Sequence, residues 1–308
     1  MKALNVCNLY KNYGNHEVLK GLSLSIDQGE MYALMGPNGS GKSTLSSIIA
    51  CTTPPSKGKI EIFGLDIFKE PKKVKKLIGY VPQEKFTSPL MTGEENLLYF
   101  IRLFGIPKKK ARTLTRDLLR QMGLSSDAKK RVATYSGGMR KKLEVATALL
   151  PDVKLLILDE PTTGLDPATR RKFLSLLHDI RKDGISIFYV THIGEDAEAA
   201  SKVGLIDNGT IIIEDAPNKL KKLNKYNIIN IETHEMNNNI MESIKDFNNN
   251  HNILETKEGY KIYSNKPESI LEVLKEELIS TGCRITLTDI LSPTLEDVFF
   301  CLTNKEMR

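Results

Sequence analysis

The glycine-rich segment of residues 36–44 is the part of the sequence whose residue types and spacing point most directly to chemistry. It fits the pattern GxxxxGK[ST], in which glycines let backbone N–H groups close around phosphate oxygens. Lys42 is then expected to contact the β- and γ-phosphates of a nucleotide, and the Ser43 hydroxyl to coordinate Mg²⁺. The residues predicted to bind the nucleotide are Gly36, Pro37, Asn38, Gly39, Ser40, Gly41, Lys42, Ser43 and Thr44.

Two adjacent carboxylates, Asp159 and Glu160, follow the apolar run Leu155–Leu158. Open α/β sheets place ligand groups at the carboxyl ends of buried strands, so Asp159 is expected to join the Mg²⁺ shell. Glu160 is expected to orient and deprotonate a water in line with the γ-phosphate. Taken alone, the pair could instead be a strand end that leads into the Pro161 turn. The phosphate loop upstream favours the catalytic interpretation.

The elements that must position these residues alternate between strands and helices. A strand ending at Met31–Leu34 precedes the glycine loop, and a helix from about Lys42 to Ala50 follows it. Leu155–Leu158 and Ile185–Val190 are continuous apolar runs, as expected of parallel strands buried on both faces. This alternation predicts an α/β fold with a mainly parallel sheet. Further short strands are predicted within residues 1–33, at Lys59–Phe63 and at Ile78–Val81.

A helical region separates the phosphate loop from the later motifs. Thr92 and Glu95 form a capping-box pattern before a helix that reaches residue 104. A second helix is predicted from about Lys108 to Met122, with Gly123 closing it. The region is interpreted as a helical insertion into the α/β domain.

The turn Ser136-Gly137-Gly138 opens a further helix, upstream of the run that ends in Asp159 and Glu160. Together these segments resemble the signature motif and the Walker B motif of ABC ATPases. Many nucleotide-hydrolysing proteins share the phosphate loop, whereas the Ser-Gly-Gly signature is far more specific. The resemblance covers roughly residues 2–220 and implies a P-loop ATPase domain with a helical signature subdomain. Its implied ligands are ATP and Mg²⁺.

Four other residues occur in the order that the family implies. Gln83 resembles the Q-loop glutamine, which contacts Mg²⁺ or the attacking water, and His192 resembles the switch histidine at the γ-phosphate. Asp166 resembles the D-loop aspartate, and it is also a good N-cap before Pro167. Tyr13 resembles the aromatic residue that stacks on adenine, although a lone tyrosine is a weak signal. A lone histidine is more often structural, but the spacing of His192 after Glu160 favours a functional role.

Two departures from the commonest family pattern narrow the subfamily. The signature has Tyr135 and Met139 where many members have leucine and glutamine. That form is similar to the one in drug- and lipid-exporting ABC-2 systems. The segment Ser292–Phe299 is similar to the C-terminal part of daunorubicin-resistance-type ATP-binding subunits. An amphipathic helix that packs on its own domain would account for the same segment, and the two interpretations are compatible.

The resemblance also implies partners. In the family, the signature of one subunit closes over ATP held by the other, so Ser136 and Gly138 would reach a γ-phosphate bound to a second copy, most simply in a homodimer. An ABC-2-type permease in the membrane would receive the work, through residues of about Glu84–Glu94. The chain is therefore expected to be the ATPase subunit of an exporter, cytoplasmic and peripheral at the inner face of the cell membrane.

Size and composition agree with two domains. The chain has 308 residues, 40% of them hydrophobic and 27% charged, as in ordinary globular proteins. Residues 1–220 are predicted to form the ATPase domain. A basic, linker-like stretch follows, and residues 226–308 are predicted to form a small α+β domain of β-α-β-β-α-β pattern, resembling a ferredoxin-like module. Its first helix is predicted at about Asn238–Phe247.

Several classes of protein are disfavoured by the same inspection. No apolar run approaches the roughly 18–20 residues that span a bilayer. The four cysteines lack a CxxC spacing, so they imply neither a cysteine-bound metal site nor a disulfide framework. The net charge is +6, with short lysine clusters such as Lys108–Lys110. These clusters are interpreted as solvated helix faces, with attraction to anionic headgroups or to nucleic acid as the sharper alternative.

Two other functions stay open at this point. A non-transport ABC ATPase could act on nucleic acid or ribosomes, but such proteins usually carry two cassettes or a long coiled-coil insertion, and this sequence has neither, so no nucleic-acid partner is expected. A purely regulatory nucleotide-binding module without turnover is the other possibility. The presence of Glu160 and His192 argues against it.

Overall fold

The computed structural model describes residues 1–223, 226–233, 253–256, 259–280 and 285–305. The chain divides into two compact units, one of Met1–Ala216 and one that begins at Pro217. The sequence analysis placed this boundary between residues 220 and 226, whereas the structure assigns the helix Pro217–Leu223 to the second unit. Among the described residues, no helix is both long enough and apolar enough to span a membrane.

The first unit contains two sheets and seven α-helices within its described residues. The strands of the first unit are β1 (Lys2–Tyr13), β2 (His16–Asp27), β3 (Met31–Met35), β4 (Lys57–Ile62), β5 (Leu65–Asp66), β6 (Ile78–Val81), β7 (Leu155–Asp159), β8 (Ser186–Thr191), β9 (Lys202–Asp207) and β10 (Thr210–Asp215). The helices are α1 (Lys42–Ile49), α2 (Pro71–Leu77), α3 (Gly93–Leu103), α4 (Lys108–Gln121), α5 (Gly137–Ala148), α6 (Pro167–Lys182) and α7 (Gly194–Ala197).

The larger sheet has six strands in the order β10-β9-β3-β8-β7-β6. Its pairings are parallel except at the β9–β10 edge. Every residue of β3, β7 and β8 is buried, which explains why these strands read as continuous apolar runs. The prediction of an α/β fold with a mainly parallel sheet is confirmed. Because the strands are parallel, the loops after β3, β7 and β8 emerge at one edge of the sheet.

A second, antiparallel sheet has the order β2-β1-β4-β5. The sequence analysis predicted short strands before Met31, and this prediction is wrong, because β1 and β2 each extend over 12 residues. The two strands pair with several register shifts. Each shift interrupts the alternation of apolar and polar residues, so that one long strand looks like several short ones.

The predicted helix starts in the first unit are confirmed. Thr92 accepts a hydrogen bond from the backbone N–H of Glu95, and the Glu95 side chain accepts one in return from Thr92 N–H, which completes the capping box of α3. Ser136 caps α5, and Asp166 caps α6 with Pro167 at the first turn. The helices α3 and α4 form the predicted insertion between β6 and α5.

The second unit is a small α+β unit. It contains α8 (Pro217–Leu223), β11 (Asn227–Thr233), β12 (Ile253–Glu255), β13 (Gly259–Ser264), α9 (Pro267–Ser280), β14 (Ile285–Leu291) and α10 (Leu295–Thr303). Its antiparallel sheet has the order β12-β13-β11-β14. The strands and the second helix of the predicted ferredoxin-like pattern are present, and the predicted helix Asn238–Phe247 lies outside the described residues. A cluster of buried residues forms its core: Ile229, Ile231, Tyr260 and Ile262.

The helix α10 packs on its own unit, as one of the two interpretations of this segment predicted. Thr294 and Asp297 form a capping box at its start. The Asp297 carboxylate is 2% exposed and accepts a hydrogen bond of 2.8 Å from the Tyr263 hydroxyl of β13. The Tyr263 ring also stacks on Phe300, with ring centroids 5.3 Å apart. The terminal helix is thus held on the small sheet by a hydrogen bond and a ring contact, both made by Tyr263.

Candidate nucleotide-binding and hydrolysis site

The glycine loop lies between β3 and α1, at the edge of the sheet where the parallel strands end. Gly39 and Gly41 have φ values of 78° and 103°, which residues with a Cβ rarely adopt. Gly36 passes close to β9, since a Cβ on Gly36 would lie 2.2 Å from the Ile206 carbonyl oxygen. The backbone conformation therefore favours glycine at residues 39 and 41. The contact with β9 leaves no room for a side chain at residue 36.

The Lys42 ammonium is held inside the loop. Its Nζ donates hydrogen bonds of 2.8 Å to the carbonyl oxygens of Gly36 and of Pro37, and the residue is 4% exposed. Burial lowers the pKa of Lys42, while Glu160 and Asp159 act in the opposite direction. An ammonium has three donors, so one N–H remains for an anion at the mouth of the loop.

The hydroxyl of Ser40 provides a direct test of whether this loop fits a phosphate. Its Oγ is buried and has no hydrogen-bond partner. A buried polar atom without a partner in the protein is costly, and such an atom usually bonds to a ligand, ion or water. Together with the N-terminus of α1, which favours anions, this orphaned hydroxyl fits a phosphate group held by the loop.

Asp159 ends β7 beside two serine hydroxyls of α1. Its Oδ1 lies 3.2 Å from Ser43 Oγ, and its Oδ2 accepts a hydrogen bond of 2.9 Å from Ser46 Oγ. Burial raises the pKa of Asp159, and the two hydroxyl hydrogen bonds oppose that rise. The structure thus brings together two of the three residues predicted to hold Mg²⁺, Ser43 and Asp159, while the third, Gln83, contacts Glu160. The sequence analysis missed Ser46, although its position three residues after Ser43 places both on one face of a helix.

The Glu160 carboxylate is the point at which the candidate catalytic residues meet. Its Oε2 accepts hydrogen bonds from Gln83 Nε2 at 2.8 Å and from Thr163 Oγ1 at 3.2 Å. Its Oε1 lies 3.3 Å from Nδ1 of His192. These contacts span the chain from β6 to the loop after β8, so three residues far apart in sequence converge on one carboxylate. Thr163 is a further member that the sequence analysis missed.

The backbone at Glu160 is strained. Its φ is 46°, in the left-handed region that a residue with a side chain as large as glutamate rarely adopts. The Glu160 N–H donates to the Val190 carbonyl oxygen at 3.1 Å, which holds the turn after β7 against β8. Strain of this kind costs of order 1–3 kcal/mol and is concentrated at functional sites. Here it turns the carboxylate toward Gln83 and His192.

A cleft of about 410 Å³ lies beside the loop. Its lining consists of loop and α1 residues together with Gln83, Glu160, His16 and Val18. The sequence analysis missed His16 and Val18, which reach the cleft only because β2 folds back along β1. Tyr13 is not among the lining residues that the structure describes, but it is the cross-strand partner of His16. It is 52% exposed, with Lys11 Nζ 4.6 Å from its ring centroid.

The signature turn is placed elsewhere. Among the described residues, the lining of this cleft includes none of Ser136, Gly137, Gly138 and Asp166. Ser136 and Gly137 are exposed, and Gly138 is pressed against α6, since a Cβ on Gly138 would lie 2.4 Å from Cγ2 of Thr169. Hydrogen bonds from Thr169 lower the pKa of Asp166. Within one chain, the signature turn therefore packs on Thr169 of α6 and on Leu165 just before that helix, and its outer side is exposed.

A buried charged cluster connects α6 and the turn before it to α7, which follows the turn that carries His192. Asp196 is fully buried, accepts a hydrogen bond from the Thr162 hydroxyl, and lies 3.6 Å from Nε of Arg170. Its backbone carbonyl accepts a hydrogen bond of 2.5 Å from the Tyr189 hydroxyl. Burial raises the pKa of Asp196. The cluster links α6 to α7. No short sequence pattern predicts this contact.

The Arg170→Met variant is expected to be destabilised, because it leaves the buried Asp196 carboxylate without its cationic neighbour. We expect the free energy of unfolding to fall by about 2 kcal/mol, measured by denaturant titration. The matched control is Arg171→Met, since Arg171 is exposed on the same helix and a surface change there should cost less than about 0.5 kcal/mol. Equal losses in the two variants would contradict a stabilising role for the cluster.

Taken together, the loop and the carboxylates define a class of protein. A parallel α/β sheet carries a phosphate-binding loop, a serine–aspartate pair of oxygen ligands and a strained glutamate supported by glutamine and histidine. This is the arrangement of a P-loop nucleotide-binding protein equipped for hydrolysis.

Comparison with known proteins narrows the class. The sequence matches the ABC transporter family over residues 19–163. It is 32% identical over 305 residues to the linearmycin resistance ATP-binding protein LnrL of Bacillus subtilis, with 98% of both chains covered. It is 33% identical to the doxorubicin resistance ATP-binding protein DrrA of Mycobacterium tuberculosis, covering 98% of this chain and 93% of that relative. The chain belongs to the ABC transporter family, as an ATP-binding subunit that hydrolyses ATP.

The solved structures agree with this assignment. The dimeric, post-hydrolysis structure of an ATP-binding cassette bound to ADP and phosphate matches with a TM-score of 0.62 and 28% identity. It covers 69% of this chain and 98% of that cassette. The resemblance to ABC ATPases, and to the drug-resistance subfamily within them, is therefore confirmed.

Proposed function

We propose that this chain energises export of a drug-like or lipid-like small molecule through a separate ABC-2-type permease, at the inner face of the cell membrane. The observation that carries the proposal is the convergence of Gln83, His192 and Thr163 on the Glu160 carboxylate, beside the loop that holds Lys42. Relatives covered over nearly their whole length support the export role, since their names record linearmycin resistance, doxorubicin resistance and Nod factor export.

Mg²⁺ fits the oxygen atoms of this site. Magnesium prefers hard oxygen ligands and usually takes only one or two from the protein, together with substrate phosphates. Ser43 Oγ and Asp159 Oδ1 supply two such oxygens 3.2 Å apart, and Gln83 is the third candidate ligand. No cluster of three or more His, Cys, Asp or Glu ligands occurs in the described part of the chain. When bound, Mg²⁺ would neutralise charge on the β- and γ-phosphates.

The proposed chemistry divides among the chain's own residues. The backbone N–H groups of the loop and Lys42 hold the phosphates. Glu160 accepts the proton of the attacking water, and Gln83 and Thr163 fix the direction of its carboxylate. His192 lies close enough to Glu160 to contact both that carboxylate and the γ-phosphate region. His16 lines the cleft and Tyr13 is its cross-strand partner, so the base of ATP would stack on this side.

The site is proposed to be completed by a second copy of this chain. Among the described residues, the signature turn does not line the cleft of its own chain, and its residues Ser136 and Gly137, at the start of α5, are exposed. A helix N-terminus favours a negatively charged group. Two copies facing each other would place Ser136 and Gly138 of one over the γ-phosphate held by the other, and Asp166 would lie between the two sites. Solved cassettes of this fold form dimers, which supports the arrangement.

A second cleft, of about 560 Å³, is proposed to receive a cytoplasmic segment of the permease. Four apolar side chains are part of its lining: Phe86, Phe100, Leu103 and Phe104. Phe86 belongs to the segment Glu84–Glu94, for which the sequence analysis predicted this role, and its ring meets Phe100 edge to face at 5.3 Å. Exposed apolar surface of this kind marks a protein contact more often than an idle surface.

Removal of Mg²⁺ and mutation of Ser43 test the metal part of the proposal. We expect EDTA to abolish ATP hydrolysis, and Ser43→Ala to need at least about tenfold more Mg²⁺ for half-maximal activity, because it loses an oxygen ligand. Steady-state phosphate release at a series of Mg²⁺ concentrations measures this. Ser47→Ala is the matched control, since Ser47 lies one turn further along α1 and makes no contact with Asp159 in the structure. An unchanged Mg²⁺ requirement in Ser43→Ala would contradict the ligand assignment.

A further inference from the structure

The outer face of α4 carries a row of basic side chains that the proposed ATPase chemistry does not use. Lys109, Arg112, Arg116 and Arg120 follow one another at steps of three, four and four residues, so they lie on one side of the helix. All four are exposed. We call this row the basic stripe, and by the helical rise it is about 16 Å long.

The charge of the stripe is almost uncompensated. Asp117 is the only acidic residue of α4, and it pairs with Arg120 at 2.8 Å. In the part of the chain that the structure describes, Lys109, Arg112 and Arg116 have no ion-pair partner within 4.0 Å, and neither do the flanking Lys108 and Lys110. Most solvated helix faces mix the two signs of charge, whereas this one presents cations alone along most of its length.

The stripe begins beside apolar surface. The loop of residues 104–107 joins α3 to α4, and Leu103 and Phe104, where the loop begins, are 63% and 61% exposed. Both side chains line the cleft proposed to receive the permease. Lys108 follows Phe104 by four residues, so the start of α4 lies within about 14 Å of the lining of that cleft. A permease is embedded in the bilayer, so surface close to its proposed docking cleft would be near the membrane.

We propose that the basic stripe of α4 binds the anionic headgroups of the bilayer beside the permease. Each Lys or Arg near an anionic membrane surface strengthens binding by about fivefold, so that three or four together give a measurable affinity. The choice of a bilayer as the partner rests on the proposed function, because it uses the position of the permease cleft. The stripe would orient the ATPase domain against the membrane without inserting into it.

A nucleic-acid partner is the less favoured explanation of the same charge. Single-stranded nucleic acid is usually bound by aromatic side chains interleaved with cations, on which bases stack. No aromatic residue occurs between Gly105 and Thr134. The exposed aromatic and apolar residues are instead gathered at one end of the stripe, as at interfacial membrane contacts.

The test is sedimentation of the purified full chain with lipid vesicles. One set of vesicles is phosphatidylcholine alone and the other contains phosphatidylglycerol as well. The wild-type chain is expected to sediment only with the anionic vesicles, and to be released as salt is raised, because screening weakens charge–charge attraction. The triple variant Lys109→Gln/Arg112→Gln/Arg116→Gln is expected to bind the anionic vesicles about a hundredfold more weakly.

Two further variants separate the stripe from net charge and from folding defects. The triple variant Lys69→Gln/Lys72→Gln/Lys76→Gln removes the same charge from exposed positions at and before α2, and it should bind as the wild type does. The Asp117→Asn variant removes the one acidic side chain of α4 and frees Arg120, so it should bind severalfold more tightly. Because Asp117→Asn is expected to bind anionic vesicles more tightly, the proposal can be tested even if the α4 triple variant folds poorly.

Three outcomes would overturn the proposal. The first is absence of wild-type binding to anionic vesicles at low salt, and the second is an equal loss in both triple variants. The third is binding of an RNA oligonucleotide that the α4 variant loses while vesicle binding is unchanged. Unchanged ATP hydrolysis in the α4 variant is expected. If the wild-type chain does not hydrolyse ATP, the proposed function is wrong. If it hydrolyses ATP but does not bind anionic vesicles, only the proposal about the basic stripe is wrong.

Discussion

Glu160→Gln is expected to lower the rate of ATP hydrolysis by about a hundredfold to ten-thousandfold, which is the range that a positioned general base contributes. The substitution keeps the size of the side chain. Its amide oxygen can accept the hydrogen bonds that Gln83 Nε2 and Thr163 Oγ1 donate to the carboxylate. What it removes is the ability to accept a proton from water. ATP binding should persist, because the phosphate loop and Lys42 are unchanged.

The measurement combines single-turnover hydrolysis with size-exclusion chromatography in MgATP. If hydrolysis is blocked while ATP still binds, and if two copies close over ATP as proposed, the variant should accumulate as an ATP-bound dimer. The matched control is Glu198→Gln, an exposed glutamate just beyond α7, which should keep wild-type turnover. Turnover near the wild-type rate in Glu160→Gln would rule out the assignment of Glu160 as the base and would leave the carboxylate a structural role in the turn after β7.

The parts of this site that are contiguous in sequence could be predicted from it. The phosphate loop requires glycines at turns with positive φ and a lysine at the helix start, and all of these requirements occur within residues 36–44. The same holds for Asp159 and Glu160, whose position at the end of a buried strand is announced by the apolar run before them. The helix caps at Thr92, Ser136 and Asp166 are also local, because a cap and its partner lie three residues apart.

The parts that depend on pairing between distant segments could not be predicted. His16 and Val18 reach the nucleotide cleft because β2 folds back along β1, and the register shifts of that pair also disguised the length of both strands. The Arg170–Asp196 cluster joins two helices through a contact that no sequence spacing encodes. Thr163 is an intermediate case, because it lies three residues after Glu160, but the turn between them is set by the strained φ of Glu160.

The same distinction explains why the charge on α4 could be read in two ways. In the sequence, Lys108–Lys110 is a short cluster, and short clusters are usually solvated. The structure adds the side of the helix on which Arg112, Arg116 and Arg120 lie and the near absence of acidic partners. It also shows that the cluster begins four residues after Phe104, which lines an apolar cleft. Whether a row of basic residues forms a continuous charged surface depends on its neighbours in space, which are known only from the structure.

The signature turn is proposed to act on ATP held by a second copy of the chain. We therefore expect a mixture of two inactive variants to hydrolyse ATP. Lys42→Ala loses the cation in its own phosphate loop. Ser136→Asp keeps a good N-cap on α5, since aspartate caps helices as well as serine does, but it places a carboxylate where the γ-phosphate is proposed to lie. Each variant alone should lose nearly all hydrolysis. Ser136→Asn is the control for the second variant, because it keeps the cap without adding charge.

Mixing the two inactive variants should restore activity if the sites are shared. In a mixed dimer, the loop of the Ser136→Asp copy faces the unaltered signature of the Lys42→Ala copy, so one of the two sites is intact. Random pairing of equal amounts makes half of the dimers mixed, and the expected turnover is about a quarter of the wild-type rate. If each chain instead used its own signature, every site in the mixture would carry one damaged element and no activity would return. Recovery on mixing, measured by phosphate release, therefore decides between a site built by two copies and a site built by one.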